Sequence, residues 1–199
     1  ANVMEVNPSL PAKTLPEFLA WMKAHPVEAK VATSGRGSAQ EMAAEMLRMA
    51  SGAEMLLIPY KGSSAAHPDL IGGRVALYID TISAIQSQVK AGTVRAVAVS
   101  TRKRTAALPG VPTADEQGLK GYDANTNGGF LAPAGTPKAI IAKLNAEINA
   151  ALNMPDVRTK LETAGIEIQG GTPQDYAALI KSDLAKWSKV IKAAGIPAE

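Results

Sequence analysis

The sequence predicts an α/β fold, a parallel sheet covered by helices, on three observations. Strand-like and helix-like segments alternate through the first half of the chain. The stretches joining successive strands are helical and too long for hairpins, which is the signature of parallel pairing. Residues 94–99 are a near-continuous apolar run, as expected of a strand buried on both faces.

The elements follow in order. Residues 3–6 read as a short strand before the turn Asn7-Pro8-Ser9. Thr14 and Glu17 form a T-x-x-E capping pattern ahead of a helical stripe of Leu15, Phe18, Leu19 and Met22. Residues 30–33 are a strand that enters the loop Ser34-Gly35-Arg36-Gly37. Ser38 and Glu41 repeat the capping pattern, and Met42, Ala43, Met46 and Met49 mark one helix face. Residues 55–60 read as a strand, residues 63–71 as a short helix stopped by Gly72-Gly73, and residues 75–79 as a strand ending at Asp80. A helix over residues 83–90 closes at Gly92, and a further capping pattern at Thr113 and Glu116 predicts one more short helix.

After Tyr122 the style changes. Residues 123–131 carry Asn125, Asn127, Gly128 and Gly129, a polar crossover expected to end in an apolar strand. Helices are predicted over residues 136–152, 155–164 and 172–194, with Pro137 in a first turn and Gly165 at a C-terminal cap. Strand content there is limited to residues 166–168. These helices need a sheet to cover, and this part of the chain does not provide one.

Composition narrows the function. Hydrophobic residues make up 46% of the 199, but aromatics only 4%, so the core is aliphatic. Net charge is +3, from 21 Lys and Arg against 18 Asp and Glu, and the densest basic cluster is only Arg102-Lys103-Arg104. Nucleic-acid binding calls for a larger basic face with stacking aromatics, and is rejected. The absence of cysteine excludes disulfides, zinc–thiolate sites and thiol catalysis. No apolar run approaches the ~20 residues of a membrane span. No leader pattern is recognisable at Ala1, which fits a mature, a trimmed or a never-exported chain.

In open parallel sheets, ligands bind at the carboxyl ends of the strands. The loops there contain Ser34, Gly35, Arg36, Gly37 and Ser38, then Tyr60, Lys61 and Gly62, then Asp80 and Thr81. The first is the most informative. Two glycines let successive amides point at a ligand, and the helix start behind them adds unpaired N–H groups and a favourable dipole. That suits a carboxylate or phosphate, with Arg36 able to add a charged hydrogen bond. The plainer alternative is that Ser38 is only a cap and the glycines only turn the chain. Asp80 is either a helix cap or an acceptor for a ligand hydroxyl or amine, and Lys61 either a cationic partner or a solvated residue. Catalysis finds little support: His25 and His67 have no evident Ser or Asp partner, and there is no G-x-S-x-G elbow or paired-histidine metal spacing. Both histidines are expected to be structural.

A resemblance then enters on an ordered set of segments. These are Ser34-Gly35-Arg36-Gly37-Ser38, Pro59-Tyr60-Lys61-Gly62-Ser63, Asp69-Leu70-Ile71-Gly72-Gly73 and Ala96-Val97-Ala98-Val99-Ser100. Leu108-Pro109-Gly110-Val111-Pro112-Thr113, Leu131-Ala132-Pro133-Ala134-Gly135-Thr136-Pro137, Gly170-Gly171-Thr172-Pro173 and Trp187 complete it. Together they resemble the Bug-type extracytoplasmic solute receptors of tripartite tricarboxylate transporters, over essentially the whole chain. The resemblance implies a two-domain periplasmic binding protein that closes on an organic acid: a di- or tricarboxylate, an amino acid or an aromatic carboxylate. It implies delivery to a membrane permease of two unequal subunits, with no cofactor.

Two departures stand out. The family begins with another α/β domain bearing a Gly-rich loop, and this chain is expected to lack it; the resemblance then implies residues 1–124 as the second ligand-binding domain and residues 125–199 as the crossover and C-terminal helices that pack on the absent first domain. Glu41 stands where family members commonly carry histidine, and is expected to complete the capping box with Ser38. The resulting reading is a solute receptor with the ten loop residues above as its ligand contacts. Its rivals are an α/β enzyme acting on a phosphorylated or acyl small molecule, and a structural or signalling domain without a ligand.

Overall fold

A computed structural model describes residues 1–196. Its first half alternates β1 (Asn2–Val6), α1 (Leu15–Ala24), β2 (Lys30–Thr33), α2 (Ala39–Ser51), β3 (Leu56–Pro59), α3 (Ser63–Ile71), β4 (Leu77–Thr81), α4 (Ile82–Ala91) and β5 (Arg95–Val99). Three helices follow: α5 (Lys138–Leu152), α6 (Pro155–Thr163) and α7 (Pro173–Ala194).

The strands form one sheet in the order β3-β2-β4-β1-β5. The α/β prediction holds, with one difference in the sheet. β2 is parallel to β3 and β4, but β1 lies antiparallel between β4 and β5. The sheet is therefore mixed. Side-chain pattern reports which residues face a core and not which way a strand runs, so β1, with no strand before it, carried no directional signal.

The pleat separates two packed layers. Met4 and Val6 of β1, Val31 of β2 and Leu77 and Ile79 of β4 share a core with Leu15, Phe18 and Met22 of α1 and Ala43 and Leu47 of α2. On the opposite face Ala32 and Tyr78 pack with Ala66 and Leu70 of α3, and Val3 and Val99 pack with Ile82 and Ile85 of α4. Glu5 alternates onto this second face, where a carboxylate is unexpected. Buried Tyr122 locks the loop after β5 onto α2 by donating its hydroxyl to the Ala43 carbonyl at 2.9 Å.

Several expectations are corrected. Thr113 and Glu116 exchange both capping-box hydrogen bonds, at 3.0 and 2.8 Å, yet a turn follows instead of a helix. Gly118, at φ 101°, ends the segment before a second helical turn can form. Residues 123–131 end in no strand, and residues 166–168 form none. The latter segment instead approaches α4: a Cβ on Gly165 would sit 2.6 Å from the Ile82 side chain.

The C-terminal helices do not cover the sheet. α7 touches α2, and Trp187 reaches the edge of the α1–α2 core. Among the described residues of α5, α6 and α7, only Val190 is buried. Phe130 and Leu131 in the crossover are each 78% exposed, and Leu184 on α7 is 65% exposed.

Candidate functional site

Four strands, β2, β3, β4 and β5, point their carboxyl ends at one rim, and the amino end of β1 joins them there. Asn2 pairs with Thr81 and Val3 with both Asp80 and Val99. Because α2, α3 and α4 each follow directly on one of these strands, their amino termini open onto the same rim. The sheet thus gathers three helix dipoles, positive end outward.

The three ends differ in how they are capped. The Ser38 hydroxyl accepts the Glu41 amide of α2 at 3.2 Å. The Glu41 carboxylate takes the Gly37 amide at 2.6 Å, while the Ser38 amide donates to the Gly35 carbonyl. The expected reciprocal box between Ser38 and Glu41 is therefore displaced by one residue, since the turn at Gly37, with φ 69°, presents that amide first. At α3, Gly62 occupies the cap position, and at α4 Thr81 does; neither helix has a side-chain cap.

A chain of polar contacts joins the loops. The Ser34 hydroxyl donates to the Gln40 carboxamide oxygen at 2.6 Å, and the Gln40 amide donates to Asp80 at 3.2 Å. The same Asp80 oxygen accepts the Thr81 backbone N–H at 2.7 Å. Gly35, at φ 114°, sits with its Cβ direction 3.8 Å from the Tyr60 carbonyl, so the first two loops run side by side. Ser63 and Tyr78 share a hydroxyl hydrogen bond of 3.2 Å beneath them. Burial raises the Tyr78 phenol above its ordinary value, so it stays protonated.

Of the residues expected at the site, Arg36, Gly37 and Lys61 are exposed at the rim, and Ser34, Gly35, Ser38, Gly62 and Thr81 are half-buried in it. Asp80 is only 2% exposed and lies under the rim, where it braces the loops. The Tyr60 hydroxyl donates to Asp69 at 2.7 Å. Desolvation and the neighbouring Asp69 push that phenol up to about 12. Asp69 is held below the usual carboxylate range, first by the Tyr60 hydrogen bond and then by Arg74. The phenol is engaged with Asp69 of α3, which leaves the Tyr60 backbone as its contribution to the rim.

Sequence reasoning missed Gln40, whose role depends on Asp80 forty residues away. It also missed how the crossover is anchored. Asn2 donates to the Ala124 carbonyl at 2.9 Å, and the Ser100 hydroxyl reaches both that carbonyl and Asn125 at 3.1 Å. Beyond this anchor a cleft of about 970 Å³ opens between the rim and the C-terminal helices. Its wall includes Thr81, Asn125, Phe130, Leu144, Ile148 and Ile180, but none of the residues from the first two loops. No described helix is long and apolar enough to cross a membrane.

Comparison with known proteins bears on this geometry. The model of the tripartite tricarboxylate transporter family receptor matches residues 1–196. A protein from the tcbD–tcbE intergenic region of Pseudomonas sp. (strain P51) is 37% identical over 180 residues, 90% of this chain and 54% of its own length. The structure of R. palustris Rpa4515 with adipate superposes with a TM-score of 0.84 at 36% identity, over 98% of this chain and 65% of that one. The periplasmic binding protein BugD gives a TM-score of 0.79 at 29% identity, over 100% of this chain and 67% of its own. The chain thus spans about half the length of the curated relative and about two thirds of the solved structures.

Proposed function

The chain belongs to the tripartite tricarboxylate transporter receptor family, and on that premise we propose that it captures a small organic dicarboxylate in the periplasm for delivery to a membrane permease. The family and its solved neighbours are solute-binding receptors, not enzymes.

One observation carries the reading: the amino termini of α2, α3 and α4 converge on a single rim, two of them without a side-chain cap. Helix amino termini present unpaired N–H groups and a positive dipole, so the rim favours an anion. The hydroxyls of Ser38 and Thr81, which accept from Glu41 and Ser83 and keep their own protons to give, add neutral donors around it, and Arg36 and Lys61 add positive charge at its edge. A carboxylate is satisfied by such donors without any general base, metal or redox group. The adipate bound by Rpa4515 lends support to a dicarboxylate as the ligand class.

The rim is open, so water leaves the carboxylate only when a second wall closes over it. In this proposal residues 1–124 form one wall, and residues 125–199 are the crossover and helices that carry the other. The exposed faces of α5 and α7, with Leu144 48% and Leu184 65% exposed, are apolar enough to hold a further α/β unit of a longer receptor. Titration of a panel of dicarboxylates by calorimetry tests both parts. The expected result is tight binding in a full-length receptor and much weaker binding in residues 1–199 alone. Equal, tight affinity in the two forms would falsify the two-wall reading.

A further inference from the structure

We propose that Glu5, His67 and Asp80 form a buried site for one divalent first-row metal cation of the Zn²⁺ or Mn²⁺ type, beneath the ligand rim and separate from it. The three side chains come from β1, α3 and β4, and the pleat directs Glu5 and Asp80 to the face that α3 covers. One donor atom from each lies within 4.8 Å of the others. Glu5 is completely buried, Asp80 is 2% exposed and His67 7%.

The hydrogen bonding within this group is incomplete in a specific way. His67 Nε2 meets Glu5 Oε1 at 2.9 Å. The other oxygen of each carboxylate, Glu5 Oε2 and Asp80 Oδ2, is buried with no hydrogen-bond partner. The oxygens of an ionised carboxylate only accept, so each of these buried atoms calls for a donor or a cation. Two ionised carboxylates with a neutral imidazole carry the charge that one divalent cation neutralises.

The donor set and spacing suit this occupant. Imidazole nitrogen and carboxylate oxygen both ligate Zn²⁺ at roughly 2.0–2.2 Å. Two donors 2.9 Å apart can therefore occupy adjacent positions of one coordination sphere. In the tetrahedral sphere that Zn²⁺ prefers, ligands at that distance stand roughly 3.3–3.6 Å apart, so donors that lie within 4.8 Å of one another close on the ion with shifts of up to about 1.5 Å. The Tyr78 ring meets His67 edge-on at 5.5 Å and 77°, which fixes the orientation of the imidazole. The consequence reaches the rim, because Asp80 also accepts from Thr81 and Gln40 through its other oxygen.

The test is metal uptake by the protein itself, after chelation and dialysis. ZnCl₂ and MnCl₂ are titrated by calorimetry, with MgCl₂ as the control for a weakly dehydrating ion and thermal melting read in parallel. The expected result is one equivalent bound with a rise in melting temperature. His67→Gln and Glu5→Gln should each abolish uptake, while His25→Gln, altering the exposed histidine, leaves it unchanged. Glu5→Gln keeps an oxygen to meet His67 but not the charge, so its melting temperature should no longer respond to added metal. X-ray absorption of the loaded protein should show only nitrogen and oxygen ligands. Absence of uptake, or uptake that survives both His67→Gln and Glu5→Gln, would overturn the proposal and leave a shared proton as the neutralising group.

Discussion

The Glu41 carboxylate sits 2.6 Å from the amide nitrogen of Gly37, on the loop that opens α2. An anion built into the chain thus occupies one of the donors assigned to the ligand in the proposed reading. Glu41→Gln removes its charge while leaving the Ser38 cap in place. Dicarboxylate affinity in the full-length receptor should rise by roughly fivefold, the equivalent of about 1 kcal/mol for one hydrogen bond and the local dipole. Unchanged or weaker binding by calorimetry would remove Glu41 from the ligand's surroundings.

Arg36 is exposed at the edge of the same loop. In the full-length receptor, Arg36→Ala should weaken dicarboxylate binding by about 1.5–3 kcal/mol, the range for a hydrogen bond to a charged group. Raising the salt concentration should narrow the difference, because the guanidinium is screened by solvent ions. Equal affinities at low salt would assign recognition to the backbone amides alone.

α2 holds the loop in place through Leu47, which is fully buried between the sheet and the helix layer. Leu47→Ala leaves a cavity there and should cost about 2–5 kcal/mol in chemical denaturation. The loss should appear in the unfolding midpoint with little change in the slope.

α7 begins with a complete capping box: the Thr172 hydroxyl accepts from the Asp175 amide at 3.1 Å, and the Asp175 carboxylate accepts from the Thr172 amide at 2.9 Å. Thr172→Ala should cost about 1 kcal/mol. The Thr172 hydroxyl and amide hold the Asp175 carboxyl below its ordinary range. A lowered folded-state value stabilises above the unfolded value and is lost as pH falls through the folded one. The melting difference between parent and Asp175→Asn should therefore be full at neutral pH and vanish in strong acid. A difference independent of pH would show that the carboxylate's charge plays no part.

The elements were legible because their signals are local. Apolar spacing marked α1 and α2, capping residues at Thr14 and Ser38 placed their starts, and Gly52 and Gly92, both at positive φ, close α2 and α4. The loops at Ser34, Tyr60 and Asp80 could be named as rim candidates because a strand followed by a helix always leaves its connection at the strand's carboxyl end. The same locality misled at Thr113 and Glu116, where the capping bonds form but no helix is long enough to follow.

The sequence by itself determined the α/β alternation and where α1, α2 and α7 begin. Tertiary structure alone decided that β1 runs against its neighbours, that Gln40 bridges Ser34 to Asp80, and that His67 faces Glu5 across 62 residues of sequence. Each of these joins residues far apart in the chain. Periodicity and capping patterns report only on neighbours within a few residues, so partners brought together by the sheet leave no trace in them.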